Sequence, residues 1–377
     1  MSGRIRKLVQ LVLPATLLAG SSGSAVACII CLSAVSVTIG QKLDAADVVV
    51  LAEPARGSQG FRIVAELKGD GPVGTYVEGA SDPARWTVTQ GGTFLLARNS
   101  QSGRWTDLGP VGTEHADWLR RFLTTVDGPS NATRLSWPLS STAQAAPDTT
   151  NWPARIAVVE RQLESADPLV AEIAFGELAR APYDVMRTLK PVLDVEKLRN
   201  WTSDPSLAQR RDAYLLLLGI AGNAQDAAAI DRQLIDASAA HDATNLAALL
   251  AADLELRGPD RVAWIEETYL ADPGRSLPEI EAALLALSVH GNANRRIPRQ
   301  RVVDAYRGFI RNRPPMAGFV VGDLGEWRNW DAVPELIDAL ESDAVRDPAG
   351  RFAIIAYLKD SPVAQAHAAA TSARQLN

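Results

Sequence analysis

Asp167-Pro168-Leu169-Val170-Ala171-Glu172-Ile173-Ala174-Phe175-Gly176-Glu177-Leu178 is the stretch whose reading decides the fold. Asp167 is suited to accept hydrogen bonds from the free N–H groups that open a helix. Pro168 stands at the first helical position, where a missing N–H costs nothing. Behind them Leu169, Ile173, Ala174 and Leu178 recur at helical spacing and mark one buried face. The opening returns 37 residues later as Asp204-Pro205, and Ala174 with Leu178 is echoed 39 residues on by Ala213 with Leu217.

Toward the C-terminus the helical period persists. Ile156, Val159 and Leu163 share a face, as do Leu246, Leu250 and Leu254. Leu277, Ile280, Leu284 and Leu287 form another such face, and Val333, Leu336, Ile337 and Leu340 a further one. Gly222-Asn223, Gly258-Pro259 and Asp347-Pro348 punctuate this region, so about twelve short helices are expected between Ala154 and the end. Helix pairs returning every 35 to 40 residues resemble HEAT-type repeats, and the resemblance implies an α-solenoid over 154–377.

Toward the N-terminus the pattern changes to strands. Phe61, Ile63, Ala65 and Leu67 alternate with Arg62, Val64, Glu66 and Lys68, which predicts a strand with one dry face. Asp47–Ala52 reads as a more buried strand. Thr75–Glu78, Trp86–Thr89, Thr93–Arg98 and Trp105–Leu108 follow between turn clusters such as Gly69-Asp70-Gly71-Pro72. A helix over Glu114–Thr124, with Trp118, Leu119 and Phe122 on one side, closes a small β-barrel spanning 28–126. Residues 127–153 are rich in Pro, Ser, Thr and Ala and read as a linker pinned by Trp137 and Trp152. The fold class is thus multi-domain α+β, an OB-like barrel followed by an all-α HEAT-like array.

The first 27 residues carry Arg4, Arg6 and Lys7, an apolar run from Leu8 to Leu18, and small residues ending in Ala25-Val26-Ala27. This is the pattern of a secretory signal and predicts export to the periplasm or outside the cell. The leader's three positive charges leave with it, so the formal charge of −6 becomes −9. Such a balance, with no basic block, argues against nucleic acid as a partner. Past the leader no apolar run approaches the roughly 20 residues that span a bilayer, so membrane attachment is expected only through a lipid on Cys28.

Cys28 and Cys31, the two cysteines of the chain, follow the leader directly. Their spacing admits a local disulfide, lipidation of Cys28, or a thiol-redox pair. Together with Leu43-Asp44-Ala45-Ala46-Asp47-Val48-Val49-Val50 and Leu67-Lys68-Gly69, the pair resembles the start of the tissue-inhibitor-of-metalloproteinases, or netrin-like, module. That resemblance implies an OB-type barrel, and a Cys28 whose amine and carbonyl chelate a target protease's zinc. The inhibitors staple this pair to distant cysteines, which this chain lacks. The combination of the two parts is similar to exported bacterial proteins that join such modules.

Catalytic signatures are absent from the sequence. The chain has no phosphate loop with its Lys and no Gly-x-Ser-x-Gly elbow, and its four histidines, His115, His241, His290 and His367, form no ligand pair. No catalytic residue, metal or cofactor is therefore expected. Asp323, Glu326, Trp327, Arg328 and Trp330 form the densest polar-aromatic cluster and mark a possible binding edge at a helix turn. The turn at Ala179-Arg180-Ala181-Pro182-Tyr183-Asp184 is a second one. The reading is an exported, non-enzymatic scaffold that binds protein or peptide. The alternatives are inhibition of an extracytoplasmic metalloprotease through Cys28, and thiol-redox work by Cys28 and Cys31.

Overall fold

Five strands form the N-terminal part: β1 (Val48–Pro54), β2 (Gly60–Lys68), β3 (Tyr76–Glu78), β4 (Phe94–Arg98) and β5 (Trp105–Pro110). The structure, a computed structural model, describes residue 30 and residues 37–55, 60–78, 80, 92–99, 103–126 and 150–375. Cys28, Cys31, the strand expected at Trp86–Thr89, Trp137 and most of the 127–153 segment lie outside the described residues.

The strands make one curled antiparallel sheet in the order β3-β2-β1-β4-β5. β1 takes the centre because it is apolar on both faces. Val48, Val50 and Ala52 pack with Phe61, Ile63, Phe94 and Leu96 on one side. Val49 and Leu51 pack with Leu95 and Ala97 on the other, which faces the helices. Among the described residues no ladder joins β3 to β5, so the expected barrel is seen as an open sheet.

β2 departs from the single dry face that its alternation predicts. Ala52 pairs with Ile63 but Leu51 pairs with Ala65, and Val49 pairs with Lys68 but Val50 with Glu66. At each step β2 carries an extra residue, so it bulges twice. A bulge moves every later side chain to the opposite face. Phe61 and Ile63 therefore enter one core cluster while Ala65 and Leu67 border the other.

Two short helices couple the sheet to the rest. α1 (Ile39–Asp44) is held by a capping box in which Thr38 and Gln41 satisfy each other's backbone N–H. α2 (Ala116–Leu123) buries Trp118, Leu119 and Phe122 as its periodicity predicts. Its Trp118 indole donates to the Val158 carbonyl at 2.9 Å, in α3 (Trp152–Val159). Val126 and Thr150 form an antiparallel bridge, and the Asn151 N–H donates to the Thr125 carbonyl at 2.8 Å. The residues flanking the 127–149 stretch are thus tied together. Trp152, read as linker, is the first residue of α3 and is buried.

The remaining helices are α4 (Pro168–Arg180), α5 (Tyr183–Met186), α6 (Val195–Ser203), α7 (Arg211–Ala221), α8 (Ala224–Ala240) and α9 (Leu246–Arg257). They continue as α10 (Arg261–Ile265), α11 (Leu277–Ala293), α12 (Arg299–Asn312), α13 (Val321–Glu326), α14 (Val333–Glu341), α15 (Pro348–Asp360) and α16 (Ala364–Gln375). Asp167 caps α4 and Asp347 caps α15 as read. Asp204 instead caps a 3-10 turn, Pro205–Arg210, because Leu207 leaves helical geometry before α7 begins. Leu277, expected on a buried face, is 48% exposed at the first position of α11.

α7, α9 and α11 lie side by side, with α6 against α7 and α8 against α9. The apolar run Leu215–Leu218 is wholly buried in this row. Gly219 permits the close approach of α7 to α9, since a Cβ there would stand 2.6 Å from the Ala252 Cα. One core cluster runs from Ile30, Val49 and Leu51 through α2 to Ala373, so sheet and helices share their apolar interior.

Candidate binding groove

The expected binding edge at α13 divides into two sets. Asp323 accepts from the Tyr306 hydroxyl at 2.6 Å, and burial pushes its carboxyl up. The Trp327 indole donates to Asn292 Oδ1 at 2.7 Å and stacks on Tyr306 with ring centroids 5.8 Å apart. A Cβ on Gly291 would lie 2.4 Å from the Trp327 ring, so the outer edge of the indole abuts α11 where glycine leaves room. Trp330 packs on Tyr357, whose hydroxyl donates to the Asn329 carbonyl at 2.7 Å. These three residues face neighbouring helices. Glu326 and Arg328 are exposed, the latter at φ 50, where the chain leaves α13.

The second turn is an interior piece. Ala179 and Ala181 are fully buried, and Tyr183 and Met186 reach the core. Arg187 donates to Glu255 at 2.9 Å and the Tyr183 hydroxyl to the same carboxylate at 3.4 Å. His290, from α11, contacts the Tyr183 ring edge-on at 5.3 Å, and its Nε2 is 2.8 Å from the Ala251 carbonyl. Burial pushes the His290 imidazole down from its ordinary value, toward the neutral form. The cluster locks α5 against α9 and α11.

An open polar site lies elsewhere, in a groove of about 590 Å³ among α6, α7, α8 and α9. That size falls within the roughly 300–1,000 Å³ of small-ligand sites. Gln233, Asp236, Ala237 and Ala240 recur at helical spacing on α8 and form one wall. Arg211 and Leu215, one turn apart, form the α7 wall, and Thr202 and Ser203 close the α6 end. Asp242, Thr244 and Asn245 contribute the remaining rim, from the α8–α9 connection.

The local chain geometry positions these groups. His241 ends α8 at φ 53 and Asn245 precedes α9 at φ 55, two left-handed residues that fold the connection back tightly. Asn245 donates to Asp212 at 2.6 Å, which fixes the connection to α7. Burial pushes the Asp212 carboxyl up, opposed by that hydrogen bond and by Arg211. Thr244 N–H donates to Asp242 at 2.8 Å, and hydrogen bonds from Thr244 hold the Asp242 carboxyl below the usual range. The Arg211 guanidinium donates to the Asp204 carbonyl at 3.4 Å, and its Nε is enclosed without a partner.

Sequence reasoning did not single out these residues. Arg210 and Arg211 are adjacent and identical in type, yet Arg210 pairs with Glu164 and Glu172 while Arg211 turns to the groove. Only the direction each side chain takes from the 3-10 turn separates them. Among the described residues no group of three or more His, Cys, Asp or Glu could hold a metal ion, and no helix is long and apolar enough to cross a membrane. No protein-family profile, curated protein or solved structure matches this chain.

Proposed function

We propose that this is an exported, non-enzymatic protein that holds a protein or peptide segment against its helical part. The groove beside Arg211 is the observation that carries this reading. It is open and mostly polar, and it is built from four successive helices, α6 to α9. The side-by-side row α7, α9, α11 with α6 and α8 outside it supports a repeat array of the HEAT kind, which exposes binding surface between consecutive pairs. The leader ending at Ala27 supports export, with a periplasmic or extracellular location. Screening the protein against an array of short peptides tests the reading. Micromolar binding, mapped by hydrogen exchange to residues 202–249, is expected; no peptide bound at millimolar concentration would end it.

The second reading is metalloprotease inhibition through Cys28. The five antiparallel strands with β1 central support an OB-type module, and Ile30 is buried against the sheet–helix core. One residue added ahead of Cys28 should abolish inhibition on this reading and leave peptide binding intact.

A further inference from the structure

Several of the described arginines at the helix interfaces carry carboxylate partners, while Arg299 and Arg313 donate to backbone carbonyls. Arg155 pairs with Asp44 and Glu177, Arg199 with Asp226, Arg261 with Asp231 and Asp253, and Arg307 with Glu335. Arg211 sits among them and forms no ion pair among the described residues; its guanidinium donates one long hydrogen bond, to the Asp204 carbonyl at 3.4 Å. A guanidinium that lines an open groove without an ion pair is suited to a planar acceptor such as a carboxylate.

The opposite wall carries the other sign. Asp236 and Asp242 are exposed on the α8 side, and neither forms an ion pair among the described residues. A simple anion would meet Arg211 but also these two carboxylates, and a simple cation would meet the acids but also Arg211. Only a ligand with both charges, held apart, is favoured at both walls. The hydroxyls and amides of Thr202, Ser203, Gln233 and Thr244 suit a peptide backbone, and the nearly buried Leu215 and Leu249 form the floor between the walls.

We infer that the groove takes a short dipolar peptide, which presents a carboxylate to Arg211 and a basic group to Asp236 and Asp242. The inference rests on the peptide-binding reading and deepens it. The probe is acetyl-Lys-Ala-Ala with a free C-terminal carboxylate, titrated calorimetrically into the full chain. Its C-terminal amide and acetyl-Gln-Ala-Ala serve as comparisons. Arg211→Gln and the amide cap should each weaken binding by about tenfold or more, and together no further, because both remove the same pair. The double variant Asp236→Asn with Asp242→Asn should erase the preference for Lys over Gln. If peptides bind but Arg211→Gln changes affinity less than twofold, the assignment of this groove is overturned and the peptide-binding reading stands. If neither these probes nor the array peptides bind, both fall.

Discussion

Arg155 and Arg211 occupy opposite situations in one chain. Arg155 is fully buried where α1, α3 and α4 meet the sheet, and it donates to Asp44 at 2.7 Å and Glu177 at 3.1 Å. Its guanidinium lies over the Phe122 ring at 4.0 Å, and Arg180 reaches the same Glu177 at 2.8 Å. Arg211 borders an open groove and forms no ion pair among the described residues. The same residue type thus serves architecture where carboxylates surround it and availability where they do not.

Removing Arg155 should produce the largest effect. Arg155→Met keeps much of the volume but leaves Glu177 buried without one of its two cations and Asp44 without its guanidinium. Breaking a buried pair from one side costs about 3–5 kcal/mol. Denaturant titration is expected to show that loss; a drop under about 1 kcal/mol would mean that water reaches the junction and that the two regions differ less than the geometry indicates.

The helix row offers a second test. Gly219→Ala gains up to about 1 kcal/mol of helix propensity. Against this, the new Cβ would lie 2.6 Å from backbone at Ala252, and overpacking typically costs about 1–3 kcal/mol. The clash involves two helix backbones rather than a movable side-chain tip, so net destabilisation of about 1–2 kcal/mol is expected in thermal and denaturant melts. An unchanged or raised stability would show that α7 and α9 slide apart easily.

Much of this architecture was legible where one local rule governs it. Asp167 and Asp347 cap helices because their side chains need only reach N–H groups two or three residues away. The buried run Leu215–Leu218 and the α2 face of Trp118, Leu119 and Phe122 follow from periodicity. What escaped depends on longer-range geometry. The bulges of β2 add residues against β1 without altering the alternation of the sequence, so Ala65 read as a neighbour of Ile63 on one face. α1 has six residues, too few to display a period, and its capping box is its one local signal. The polar-aromatic cluster at α13 was visible as composition, but composition does not say that Trp327 stacks on Tyr306 with its edge against Gly291. The groove was invisible for the same reason, since Arg211 differs from Arg210 only in direction.

Acid should weaken both parts of the helical array through two groups. Burial pushes the Glu279 carboxyl up, but hydrogen bonds from the Ser276 backbone and side chain, Arg275 and His241 outweigh it and hold the group at about 2. A depressed folded value means the unfolded chain binds the proton first as pH falls. The stability contributed by Glu279 is therefore present above about 4.5 and lost on the way to about 2. His290 acts at higher pH. Its folded value lies below 6.5, so the unfolded chain takes up the proton first and stability falls as pH drops through that value. Melting temperatures between pH 8 and pH 3 should decline in two stages, and Glu279→Gln should shrink the lower one, to which the depressed carboxyls of Asp226 and Asp242 also contribute. A single stage unaffected by that change would contradict the assignment.

The smallest effect on stability belongs to Arg211, and it sharpens the comparison most. Arg211→Gln removes one hydrogen bond of 3.4 Å and leaves no buried carboxylate unpaired, since Asp212 keeps the Asn245 amide. A change within about 0.5 kcal/mol is expected, the range of surface substitutions away from special features. If unfolding shows instead a loss near that of Arg155→Met, the guanidinium is a structural tie to the Pro205–Arg210 turn and its exposure to the groove is incidental. A near-neutral variant that has lost peptide affinity separates the two roles completely. Stability then follows the arginines whose carboxylates the chain itself supplies, and binding follows Arg211 at the groove wall.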